Sequence, residues 1–215
     1  MCEERAFSMS KAGNIVKITF KSLMLGISLF IYAFFIFRLC TMDDPKEMTK
    51  IIWNDVSRAA YAADPAGFEA LDQEPNTYIN NEGTFWISNV VYLPSADQLQ
   101  LTIKYNDSTL KYLKQALGDE TLVLPDEPFS YSLLDEDGNR YTAYSSVSYH
   151  KQNYNYRRLV FEGIDMTDIT DLYVDIYYVG SINYGETPYG SLKAWDTDLA
   201  TTPHDVEKDL PDDLK

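Results

Sequence analysis

Cysteine is nearly missing from this chain. Cys2 and Cys40 are the only two in 215 residues, so everything beyond residue 40 folds without a disulfide and without a Cys/His cluster for zinc. Histidine is as scarce: there is only His150, and His204 among the acids Asp205, Glu207 and Asp209. No G-x-S-x-G elbow and no Cys/His pair marks a nucleophile, so neither an enzyme activity nor a cofactor is expected. Positive charge is also short. The formal net charge is -15; residues 1–40 carry Arg5, Lys11, Lys17, Lys21 and Arg38 against Glu3 and Glu4, a net of +3, which leaves -18 for the rest. Such a field repels nucleic acid, and no nucleic-acid partner is expected.

What the chain does have is one long apolar run. Residues 22–37, SLMLGISLFIYAFFIF, lie uncharged between Lys21 and Arg38. A helix of that length spans about 24 Å, short of a hydrocarbon core of roughly 30 Å. Ile15, Val16, Ile18, Phe20, Leu39 and Met42 extend the apolar surface, and Lys17, Lys21 and Arg38 can snorkel to the headgroups. The pattern predicts a transmembrane helix over 15–42 with the lipid bilayer as its partner. FFIFRLC offers no small-residue cleavage site, and Arg38-Leu39 before Cys40 does not suit a lipoprotein signal, so an uncleaved anchor is expected. Its short basic tail, 1–14, is expected in the cytoplasm and the remainder outside the cell membrane.

After the anchor, Asp44-Pro45-Lys46-Glu47 resembles a helix start, and Met48, Ile51, Ile52, Val56, Ala59 and Ala60 recur at helical spacing, predicting an amphipathic helix over 44–63. From Gly83 the period changes to alternation. Strands are expected at 84–93, 98–105, 128–134, 140–149, 156–163, 171–179 and 190–195, with a short helix at 109–117. In 98–105 Leu99, Leu101, Ile103 and Tyr105 share one face, which leaves Gln98, Gln100, Thr102 and Lys104 for a wet one. In 140–149 Tyr141, Ala143, Val147 and Tyr149 are expected on the core side. Asp137-Gly138 supplies a hairpin turn, which explains Asp135, Glu136, Asp137 and Asn139 better than a calcium loop does. The acidic stretch 196–215 shows no apolar period and is expected to be a disordered tail.

The fold class expected is mostly β: an N-terminal transmembrane helix, then an antiparallel immunoglobulin-like β-sandwich over 64–195 with one or two short helices. QLQLTIKYNDSTLKYL (98–113) and RRLVFEGIDMTDITDLYVDIYY (157–178) carry a resemblance to uncharacterised single-pass membrane proteins of Gram-positive bacteria with an immunoglobulin-like ectodomain. In the second stretch Asp171-Leu172-Tyr173 resembles a tyrosine corner, which implies that the Tyr173 hydroxyl ties back to the backbone. The resemblance implies no known activity.

Tyrosine is abundant, 17 in all. Tyr144, Tyr154 and Tyr184 fall at outward or loop positions, and exposed rings beside Asn153, Asn155, Arg157 and Arg158 suit sugar stacking or a protein contact. The expectation is a membrane-anchored extracytoplasmic binding or structural module of the bacterial cell envelope, with envelope proteins or glycans as partners. The alternative is a carbohydrate or cell-wall ligand receptor using Tyr144, Tyr154 and Tyr184. No metal site is expected.

Overall fold

Alternating apolar positions from residue 83 onward produce strands, and each strand presents one face to a shared core. The computed structural model describes residues 19–38, 44–75, 77–81, 83–151, 153–179 and 188–215. The chain divides into two units, 1–43 and 44–215.

In the first unit, α1 (Thr19–Arg38) is a 20-residue helix of mean hydropathy 2.0, long and apolar enough to cross a membrane. At 1.5 Å per residue it measures about 30 Å, the thickness of a hydrocarbon core. The expected basic tail 1–14 and the outer turns of the expected span, 15–18 and 39–42, lie outside the described residues.

The second unit is mostly β. One antiparallel sheet contains β1 (Leu71–Gln73), β2 (Tyr78–Asn81), β3 (Gly83–Leu93), β4 (Gln98–Asn106), β7 (Ser145–Lys151), β8 (Tyr154–Glu162) and β11 (Thr202–Pro203). Its order is β11-β1-β3-β4-β8-β7, with β2 also paired to β3. The other contains β5 (Phe129–Asp135), β6 (Arg140–Thr142), β9 (Asp171–Tyr178) and β10 (Gly190–Asp196), in the order β10-β9-β5-β6. Leu99, Leu101, Ile103, Leu159 and Phe161 of the first sheet and Leu133, Leu172, Val174, Ile176 and Leu192 of the second belong to one buried cluster, a sandwich-like arrangement. Aromatic pairs join the layers: Phe85 meets Phe129 edge-on at 5.0 Å, and Tyr92 meets Trp195 at 5.8 Å. Helix α3 (Asp107–Ala116) follows β4, capped by the Asn106 side chain on Thr109 N–H.

Several elements depart from the sequence reading. The alternation of 140–149 belongs to two strands in different sheets: β6 pairs with β5, and β7 pairs with β8. The crossing near Ala143 and Tyr144 turns Val147 and Tyr149 outward, where they are 46% and 41% exposed. The helix after the anchor starts late. Asn54 and Ser57 form a reciprocal capping box, and α2 runs only over Asp55–Ala63. Met48 and Ile51 are buried, but they reach the domain from a 3₁₀ turn and an extended stretch.

Two further expectations are corrected. Tyr173 is no corner: its ring is 36% exposed and its hydroxyl donates to the Asp171 carboxylate at 3.2 Å. The backbone tie in the turn after β8 comes from Tyr92 on β3, whose hydroxyl donates to the Ile164 carbonyl at 3.3 Å. Residues 196–215 are ordered. Thr202 and Pro203 pair with Asp72 and Leu71, and the short α4 (Val206–Asp209) follows. This stretch finds polar partners in place of an apolar stripe, so its composition resembles that of a solvated tail.

Candidate functional site

The face of the first sheet opposite the sandwich core is the most elaborated surface of the domain. Alternation on β4 places Gln98, Gln100, Thr102 and Lys104 there, and the first three are fully buried. The expected wet side is covered by residues 44–54. Ile52 N–H donates to Gln100 Oε1 at 2.7 Å, and Gln100 Nε2 donates to the Ile52 carbonyl at 2.9 Å. Thr102 Oγ1 donates to the Met48 carbonyl. Gln98 Nε2 donates to Asn54 Oδ1 at 2.9 Å, and Asn54 Nδ2 to Glu162 at 2.7 Å. Lys104 pairs with Asp44 at 2.9 Å. Burial works against the Lys104 charge, but Asp44 outweighs it and the pKa rises. Polar side chains along one strand thus bond a segment that has no strand partner of its own, which satisfies its backbone.

Below this cover lies a fully buried cation. Arg158 on β8 donates through Nη1 to Asn89 Oδ1 at 2.5 Å and to Thr102 Oγ1 at 3.2 Å. Its Nε and Nη2 have no hydrogen-bond partner among the described residues. Burial lowers its pKa to about 9, against the opposing charges of Asp72 and Asp209. The same two acids hold His204: Nδ1 lies 2.9 Å from Asp72 and Nε2 lies 2.8 Å from Asp209. Asp209 also accepts from Ile51 N–H at 2.8 Å, and its carbonyl accepts from Trp53 Nε1 at 2.8 Å. Trp53 stacks on Phe68 at 5.4 Å. One histidine therefore clasps β1, the C-terminal segment and the cover together. Hydrogen bonds to Asp72 and Asp209 raise its pKa despite burial. With a carboxylate at each ring nitrogen it has no lone pair free for general-base work. The carboxylates lie on opposite sides of the ring, and no His/Cys/Asp/Glu group among the described residues is arranged to hold a metal.

Of the tyrosines singled out in the sequence, Tyr144 and Tyr154 are not brought together. Tyr144 lies at the entry to β7, 64% exposed, its N–H on the Val160 carbonyl. Tyr154 lies at the far end of β8, paired with Lys151. Six strand positions separate Val160 from Tyr154, about 20 Å at the rise of an extended chain. Tyr154 also has structural work: Lys104 Nζ sits 4.7 Å from its ring centre, and Trp86 meets it edge-on at 6.1 Å. Tyr184 lies outside the described residues. The separation offers no shared platform for a sugar. The turn at Asp135 is accounted for as a hairpin, because its carboxylate accepts from the backbone N–H of Asp137 and Asn139 and Gly138 takes φ +84°.

One hollow, about 640 Å³, lies between α3 and residues 120–126. Two more, about 190 and 260 Å³, flank Arg157 beside β7. Arg157 is paired with Glu127 at 2.6 Å. The buried Tyr131 hydroxyl at the larger of these has no hydrogen-bond partner among the described residues. Sequence reasoning missed Arg158, Gln100, Trp53 and the His204 clasp, since nothing in their spacing distinguishes them from surface polar residues.

No protein-family model, curated protein or solved structure matches this chain. What it does has to be argued from its geometry.

Proposed function

We propose that the chain is a membrane-anchored, non-enzymatic binding or structural module displayed outside a bacterial cell membrane. One observation carries the reading. The apolar helix α1 ends at Arg38, and by Asp44 the chain is already part of the folded domain through the Lys104 ion pair and the bonds from β4. A helix retained in lipid would tether a folded domain that begins after only five further residues of sequence, which suits presentation or assembly at an envelope surface. Retention is favoured by the lack of a small-residue cleavage site after the helix.

The sandwich is of immunoglobulin type in this proposal. The order β3-β4-β8-β7 facing β10-β9-β5-β6 corresponds, in chain order, to an ABED sheet facing a GFC sheet with an added C′ strand. That correspondence supports the reading, and so does the resemblance to single-pass proteins of Gram-positive bacteria.

Thiol labelling tests the arrangement, because residues 44–215 contain no cysteine. In a C2S/C40S background, V123C introduces one thiol at a position 89% exposed. Reaction of intact cells with a membrane-impermeant maleimide is expected. Labelling that needs permeabilisation would place the domain in the cytoplasm and overturn the proposal.

A further inference from the structure

Among the described residues, four strand edges are closed to further pairing and one is open. β11 is two residues long and contains Pro203. β2 is turned toward β10, with Thr77 Oγ1 donating to the Lys193 carbonyl at 2.7 Å. β10 is interrupted by a bulge between Lys193 and Trp195. β6 is three residues long and begins with Arg140. These are the devices by which sheets avoid edge-to-edge association. β7 has only the lysine at its last position, Lys151. It runs for seven residues, SSVSYHK, without proline or bulge, and β8 is its neighbour in the sheet.

We propose that β7 is a self-association edge, which joins two copies of this chain by antiparallel strand addition about a two-fold axis at Ser148. The occupant follows from the strand itself. With Ser148 opposite its own copy, Val147 falls opposite Tyr149 of the second copy, and Tyr149 opposite Val147. Both residues lie on the outer face, opposite Arg158 and Tyr156 of β8, with nearly half their surface exposed. A β-branched residue facing an aromatic one is a favourable cross-strand pair, and the axis makes it twice. Ser146 falls opposite His150, and Lys151 opposite residue 145, an uncharged serine, so no like charges oppose each other. β7 contains no acid in a chain with 33. The edge is thus the place where two strongly acidic chains can meet at close range. Their remaining repulsion is long-range and screened by salt. This inference does not depend on the membrane reading, since it concerns the domain alone.

The test uses the full chain in detergent with C2S/C40S. S148C places two thiols across the axis at a separation a disulfide can close. Under mild oxidation S148C is expected to cross-link at least about tenfold faster than V123C, because pairing raises the local thiol concentration. S146C, whose counterpart is His150, is expected to cross-link slowly alone and rapidly with H150C. Raising ionic strength from about 0.05 to about 0.5 M should speed the S148C reaction. V147K, which installs an edge lysine, is expected to abolish it while leaving thermal unfolding unchanged. S148C cross-linking no faster than V123C, or undiminished by V147K, would overturn the proposal. Cross-linking of S148C slowed by salt would also overturn it, because attraction between opposite charges elsewhere on the two chains would then be what brings the thiols together.

Discussion

The Gln100 side chain and the Ile52 backbone exchange two hydrogen bonds, one in each direction, at 2.7 and 2.9 Å. The amide group thereby does for Ile52 what a neighbouring strand would do. Leucine at this position would keep the volume, leave the N–H of Ile52 without a partner and leave its carbonyl only the long 3.5 Å bond from Ser57 Oγ. Each buried orphan costs about 1–3 kcal/mol. Q100L is expected to lower the unfolding free energy by about 2–4 kcal/mol in a denaturant titration. A change within about 0.5 kcal/mol, the scale of surface substitutions, would show that the cover over β4 contributes little.

The His204 clasp makes stability depend on pH. Its pKa is raised in the fold from an ordinary 6.5 by Asp72 and Asp209, against burial. A raised cationic group adds stability that is fully present below its unfolded pKa and is lost as pH rises through the folded one. The clasp is therefore expected to weaken progressively above pH 6.5. Amide exchange at Ile51 and around α4 should speed up over that range, and H204Q should remove this slope. Arg158 faces the same two acids, so R158M is expected to raise the His204 pKa further and to shift the loss to higher pH. It should also cost about 1–3 kcal/mol by orphaning Asn89 Oδ1. Exchange rates in H204Q with the same pH profile as the parent would remove His204 from the account.

Tyr144 and Tyr154 separate by consequence as they do in space. Tyr144 is 64% exposed, so Y144A is expected to change stability by less than about 0.5 kcal/mol. Tyr154 holds the Lys104 ammonium against its face and Trp86 against its edge. Y154A should lose about 1–2 kcal/mol, the sum of one cation–π and one aromatic contact. Equal effects in a thermal melt would contradict these assigned roles.

The β-rich class, the apolar helix, α3 and the Asp137-Gly138 hairpin are legible from periodicity, because each rests on local spacing or turn chemistry. It also sorted β4 correctly into Leu99-Leu101-Ile103 on one side and Gln98-Gln100-Thr102 on the other. It could not say what covers the polar side, since a glutamine that bonds water and a glutamine that bonds Ile52 look alike in a chain. For the same reason His204 among acids looks in sequence like part of a solvated tail. The crossing at Ala143 was hidden because alternation continues through a change of sheet, so one period described two strands. Outward or loop position and nearby Asn and Arg single out the tyrosines, and neither carries position along the sheet.

Removing residues 204–215 tests the most consequential of these differences. A disordered tail could be deleted without effect. Here the deletion takes away Asp209, the acceptor for Ile51 N–H and for the Trp53 indole, and His204 with its whole clasp. It also removes Val206, which packs on the cluster of Ile51, Phe68, Ala70, Val91 and Leu93. Two buried donors left without acceptors, at about 1–3 kcal/mol each, outweigh the chain entropy released by freeing a short segment that makes few other contacts. The truncated protein is expected to lose about 2–5 kcal/mol and to melt roughly 5–15 °C lower for a domain of this size. D209N offers a finer version. It keeps an acceptor for Ile51 N–H but removes the charge facing His204, so it should lower the His204 pKa and weaken the clasp at a lower pH than in the parent. A truncated chain that melts with the parent would mean that the C-terminal segment rests on the domain without stabilising it.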